Sequence, residues 1–163
     1  MNITPLLLKE LDEETKTTRK FLEIVPEDKY DWQPHPKSMT VRRLAAHIAD
    51  LPNWIAMALT TAELDFANND WKEEVINDNG VLLNAFDRAV ANGTAQLAQA
   101  TEGQYSEIWT LRNGDHVISK RTKYEVIRMA FGQMSHHRAQ LGVFLRLLDI
   151  PIPGSYGPSA DEM

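Results

Sequence analysis

Residues 122–148 read "TKYEVIRMAFGQMSHHRAQLGVFLRLL", and the reading of this stretch decides the fold. Thr122 and Glu125 stand where a capping box needs them: the threonine side chain accepts from the Glu125 backbone N–H, and the glutamate reaches back to the cap. Beyond them Ile127, Ala130, Met134, His137, Leu141, Phe144, Leu145 and Leu148 recur at helical spacing. This predicts one long amphipathic helix whose apolar stripe must be buried against other helices. The stripe carries a histidine where a leucine would pack better.

Working backward, three more helices are predicted. The first opens at Thr4 as N-cap with Pro5 at the first helical position and buries Leu7, Leu11, Thr15, Thr18, Phe21, Leu22 and Val25 before Pro26 ends it. A second starts near Ser38 or Thr40, with Leu44, Ile48, Leu51, Ile55 and Leu59 inward, His47 at the margin, and a kink expected at Pro52. After the polar stretch 65–80, a third is capped at Asp78 or Asn79 and turns Val81, Leu82, Ala85, Phe86, Ala89 and Leu97 inward. Between the third and last helices, Asn113-Gly114 joins two partly alternating runs and predicts a small β-hairpin over a plain irregular loop. The tail "IPIPGSYGPSADEM" carries three prolines and two glycines, and is expected to lie as an extended strap. The fold class is all-α: one four-helix bundle domain spanning residues 1–163.

Composition narrows the function. With 163 residues, 43% hydrophobic and 25% charged, the chain is that of a globular domain with a core of its own. There is no cysteine, which removes disulfides, zinc–thiolate sites and any thiol nucleophile of the protein's own. A formal charge of −6 repels phosphate backbones, so no nucleic-acid partner is expected. The most apolar stretch, Leu44 to Leu59, is interrupted by His47, Asp50, Pro52 and Asn53, so no membrane span is expected and the address is cytoplasmic. There is no phosphate-binding glycine loop, HExxH or nucleophile elbow.

Five histidines remain to be placed. His35, between prolines, is expected either to pack its ring against Trp32 or to stay exposed, and His116, beside the hairpin turn, is expected to be solvated. His47 and His137 occupy helix faces otherwise built of Leu, Ile, Met and Phe. Each is either a core histidine satisfied by hydrogen bonds or a ligand aimed at a shared ion. Gln133 precedes His137 by one turn and shares its face, so the pair could act together on a divalent metal with a third donor from another helix. His136 is turned by about 100° from His137. Asp50, one turn beyond His47, could orient that ring or be a solvated carboxylate, and Trp54 either walls a pocket or fills the core.

"DWQPHPKSMTVRRLAAHIA" (31–49), "LAAHIADLPNW" (44–54), "SHHRAQLGVFLRLLDIPIP" (135–153) and "YGPSADE" (156–162) together resemble the DinB-like superfamily, also called the YfiT-like metal-dependent enzymes. The likeness runs from about residue 5 to residue 162, and the last two motifs are its most specific part. The resemblance implies a left-handed bundle with an up-down-down-up course and a homodimer. It implies a divalent metal, nickel or zinc, on three histidines: His47, His137, and a position one turn earlier that here is Gln133. Departure at Gln133 leaves two imidazoles and an amide, a much weaker donor set. His136, Asp50 and Trp54 would then belong to the surrounding pocket. Relatives include transferases and isomerases that use low-molecular-weight thiols, and hydrolysis by an activated water is a further expectation. The alternative is a metal-free binding or structural dimer with a vestigial site.

Overall fold

The computed structural model describes residues 2–69 and 74–163. The described residues are mostly helical, with five α-helices and one small sheet: α1 (Thr4–Glu23), α2 (Val41–Asp50), α3 (Asn53–Thr60), β1 (Glu63–Asp65), α4 (Asn79–Gln99), β2 (Ile108–Asn113), β3 (His116–Thr122) and α5 (Lys123–Leu147). Part of the expected polar connection, residues 70–73, lies outside the described residues.

The helix starts follow their side-chain chemistry. The Thr40 side chain accepts from the Arg43 N–H, and Asp78 accepts from Val81. Both halves of the Thr122–Glu125 box are made. The first helix begins one residue earlier than expected: Ile3 is its N-cap, with no side-chain bond, and Thr4 is instead buried with its hydroxyl 2.6 Å from that of Tyr105. The expected kink at Pro52 is a full break that makes two helices of one. The break is seated on α4 at Gly93, where a Cβ would lie 2.7 Å from the Pro52 carbonyl oxygen.

α1 packs against α4 and α5, and α2 and α3 pack against the same two. One end of the core gathers Phe21, Leu44, Ile48, Phe86, Leu141 and Leu145; the other gathers Leu11, Ile55, Leu97, Ile127 and Met134. Burial of such side chains stabilises by about 1.5–3 kcal/mol each. The hairpin forms where Asn113-Gly114 predicts it, with Gly114 at φ 60°. β1 adds a parallel strand to β2, and the Asp65 carboxylate accepts from the Gly114 N–H at 2.8 Å, which ties the added strand to the turn. Beneath the sheet Trp109 is buried with Ala58 and Val126.

α5 ends in a Schellman closure: Asp149 donates to the Arg146 carbonyl and Ile150 to that of Leu145. Asp149 holds φ 59°, the position glycine usually fills. The strap then folds back on itself. Asp161 accepts from the Ile152 N–H and pairs with Arg146, while Glu162 accepts from Gly154 and Ser159. The Arg146 bond holds the Asp161 carboxyl below its ordinary range, and the Gly154 and Ser159 amides do the same for Glu162.

Candidate functional site

His47 leaves α2 and His137 leaves α5 toward one another. Both side chains are half-buried, and their rings meet edge to face with centroids 4.6 Å apart and planes at 83°. The helix faces read from sequence bring these two residues together. His136 is exposed, its ring 4.8 Å from that of His137. It lies on the rim of the pair.

The His137 Nδ1 lies 2.7 Å from Oε1 of Gln140, one turn along α5. An amide oxygen only accepts, so Nδ1 carries the proton and donates. In the neutral ring Nε2 is then the nitrogen with a free lone pair. Sequence reading missed Gln140, although its spacing of three from His137 was the available signal.

Two recesses flank the histidines. A cavity of about 370 Å³ between α2 and α4 is lined by His47, Asp50, Asn53, Arg88 and Asn92 among others. Its wall is a polar ladder in which Asn92 donates to Asn53 and Asn53 donates to Asp50. Asp50 thus shares a cavity with His47. Gln133 and His136 line a different hollow along α5. Trp54 packs toward Trp109, with ring centroids 6.3 Å apart, against the core beneath the sheet. His35 accepts from the Lys37 N–H in its loop and His116 lies exposed on β3, as expected.

Beside the site, and unforeseen from sequence, Arg138 is 1% exposed. Its Nη1 donates to the Glu14 carboxylate at 2.7 Å and to Thr18 at 3.0 Å, and its Nε to Ser155 at 3.1 Å. Tyr156 covers the guanidinium at 5.2 Å and donates its hydroxyl proton to Glu14. The strap is thereby clamped to α1 and α5 one residue from His137.

The chemistry of the donor set decides what the site could hold. Two imidazoles that share a divalent ion at about 2.0–2.1 Å place their ring centroids roughly 5 Å apart, and the observed separation meets that requirement. Among the described residues no group of three or more His, Cys, Asp or Glu could hold a metal. A third protein donor would have to be an amide or another group of weaker affinity. By ring separation alone, the pair has room for a divalent ion between two imidazole donors.

Paired helical layers with two imidazoles meeting across α2 and α5 define a helical-bundle protein with a polar centre at a helix–helix seam. The chain belongs to the DinB family, whose model matches it over residues 1–163. A DinB-like protein from Bacillus subtilis is similar in structure, with TM-score 0.73 and 19% identity over 92% of this chain and 97% of that one. YfiT from Bacillus subtilis, described as a probable metal-dependent hydrolase with an unusual four-helix bundle topology, matches at TM-score 0.68 and 16% identity over 91% and 89%. A mycothiol-dependent maleylpyruvate isomerase matches at TM-score 0.62 and 17% identity, over 85% of this chain and 60% of its own. At these identities the likeness is one of fold. Comparison with curated protein sequences gives no match.

Proposed function

We propose that the chain is a divalent-metal-dependent enzyme acting on a small molecule, with His47 and His137 as imidazole ligands and Gln133 as a weak third donor. The observation that carries this reading is the meeting of the two rings at 4.6 Å, with Gln140 holding the His137 proton on Nδ1. A bound ion of this kind lowers the pKa of a coordinated thiol or water and so supplies a nucleophile near neutral pH. His137 presents Nε2 because Gln140 fixes its other nitrogen, a device that typically raises metal affinity 10- to 100-fold. Asp50 and the Asn53–Asn92 ladder line the cavity beside His47 and orient what enters it. Nickel or zinc suits an imidazole-based donor set.

The reaction class is thiol transfer or hydrolysis, consistent with the descriptions of the isomerase and of YfiT. Any thiol must come from a low-molecular-weight cosubstrate, because the chain has no cysteine. The same reading takes residues 1–163 as one cytoplasmic domain acting as a homodimer, its bundle following the up-down-down-up course. Glu10 pairs with Arg128 and Glu14 with Arg138, so α1 and α5 run the same way, which supports that course.

A second reading, a metal-free pocket protein, is favoured by one observation: among the described residues no third His, Cys, Asp or Glu completes a metal-holding group with the two histidines. Elemental analysis of untagged protein purified without chelators separates the two. Near-stoichiometric metal, lost in a His47→Ala/His137→Ala double variant, upholds the enzyme. Metal-free protein that takes up neither nickel, zinc nor manganese when they are offered leaves the pocket protein.

A further inference from the structure

The hollow along α5, about 630 Å³ in volume, is lined by Arg121, Tyr124, Met129, Gly132, Gln133 and His136 among others. Gly132 is its anomaly. It sits exposed in the middle of a 25-residue helix, although only proline is a worse residue for a helix interior. Other helical glycines in the chain are explained by contact: a Cβ at Gly93 would meet the Pro52 oxygen at 2.7 Å, and one at Gly142 would meet the Phe21 ring at 3.2 Å. A Cβ at Gly132 would meet nothing within 4 Å, and its backbone is not left-handed. Among the described residues nothing requires the missing side chain. Its effect is a notch that bares the helix backbone as the floor of the hollow.

The walls have a definite chemistry. Tyr124, 40% exposed, and Met129 supply an aromatic ring and a thioether, surfaces that suit a flat apolar body. Two arginines reach the hollow. Arg128 is taken up by Glu10 and lies 5.3 Å over the Phe131 ring. The backbone of Arg121 is held in the β2–β3 ladder opposite Trp109, while its side chain makes no hydrogen bond or ion pair among the described residues. Glu125 also lines the hollow and feels the charge of Arg121; one of its carboxylate oxygens, Oε2, accepts from the backbone and hydroxyl of Thr122 at 2.7 and 2.9 Å. The planar donors of Arg121 are bonded neither to Glu125 nor to any other described residue, and so are open to a carboxylate.

We infer that this hollow binds a small organic carboxylate with a flat apolar body, its ring lying in the Gly132 notch against Tyr124 and Met129 and its charge on Arg121. Gln133 and His136 border the hollow, and the His136 ring is in contact with that of His137, so the ligand lies next to the histidine pair. That this ligand is the substrate rests on the proposed function; its binding does not.

The test uses benzoate and phenylacetate as probes, with benzyl alcohol as the uncharged control, followed by amide chemical shifts of the full chain. Both carboxylates are expected to bind in the millimolar range and to shift Tyr124, Gly132 and Gln133. Gly132→Leu, which fills the notch with a good helix former, should weaken them about tenfold or more while the protein stays folded. Arg121→Gln should weaken the carboxylates and leave benzyl alcohol unchanged. Shifts confined to other regions, or undiminished binding by Gly132→Leu, overturns the inference. Benzoate binding by protein that takes up no metal upholds it while sinking the metalloenzyme; metal uptake without benzoate binding does the reverse.

Discussion

The imidazoles of His47 and His137 meet edge to face across the seam between α2 and α5, 4.6 Å between ring centres. The residues stand 90 positions apart in the chain, and no local preference brings them together. Packing of the two apolar stripes does.

Gln133 sits one turn before His137, where a histidine would add a third imidazole to the same face. Gln133→His is expected to raise nickel and zinc affinity at least tenfold, measured by competition with a chromophoric chelator. Unchanged affinity would mean that position 133 does not face the ion.

Two glycines are expected to respond with opposite sign. Gly132→Ala places a methyl group in open space and removes a poor helix former, and should stabilise by up to about 1 kcal/mol. Gly93→Ala drives a methyl group against the Pro52 carbonyl and should cost about 1–3 kcal/mol. Urea denaturation of both variants checks the pair; stabilisation by Gly93→Ala would show that the α3–α4 approach is looser than described.

Much of this architecture was readable in advance because it is local. Capping by Thr122, the caps read as Ser38 or Thr40 and as Asp78 or Asn79, the Asn113-Gly114 turn and the four apolar stripes all depend on residues within a few positions of one another. β1 was not readable: Glu63–Asp65 has no alternation of its own and exists by pairing with residues 110–112. Arg138 was missed for a different reason. Phe131, Met134, Arg138, Leu141 and Leu145 share the buried seam at helical spacing, so the signal was present, but a charge on a stripe is commonly read as its edge. Its partners Glu14 and Thr18 lie over a hundred residues away. Of the site, His47, His137 and their faces were legible. Gln140 was missed because its spacing of three from His137, the one signal present, is shared by many glutamines that touch nothing.

The Arg138 clamp yields a stability prediction. Glu14→Ala leaves a buried guanidinium without its counter-ion and should cost about 3–5 kcal/mol, measured by chemical denaturation. Arg138→Met, which removes the charge along with the need for a partner, should cost clearly less. Equal losses would place the value of the cluster in its packing rather than its charge.

Acid should loosen the strap. Asp161 and Glu162 have folded pKa values depressed by Arg146 and by the Gly154 and Ser159 amides, so their contribution is present above the ordinary carboxylate range and is lost as pH falls through the lowered values. Hydrogen exchange at the Ile152 and Gly154 amides should therefore accelerate beyond its intrinsic pH dependence from about pH 4 downward. Asp161→Asn should remove the pH response at Ile152 and leave that at Gly154.

The most direct test of the central claim is a titration of zinc into the metal-free protein, followed through the ring nitrogens of its five histidines by NMR. The account predicts that Nε2 of His137 and one nitrogen of His47 shift together and saturate near one equivalent, while His35 and His116 stay in place. Rings of His47 and His137 that do not respond, or a response confined to the other histidines, would contradict it.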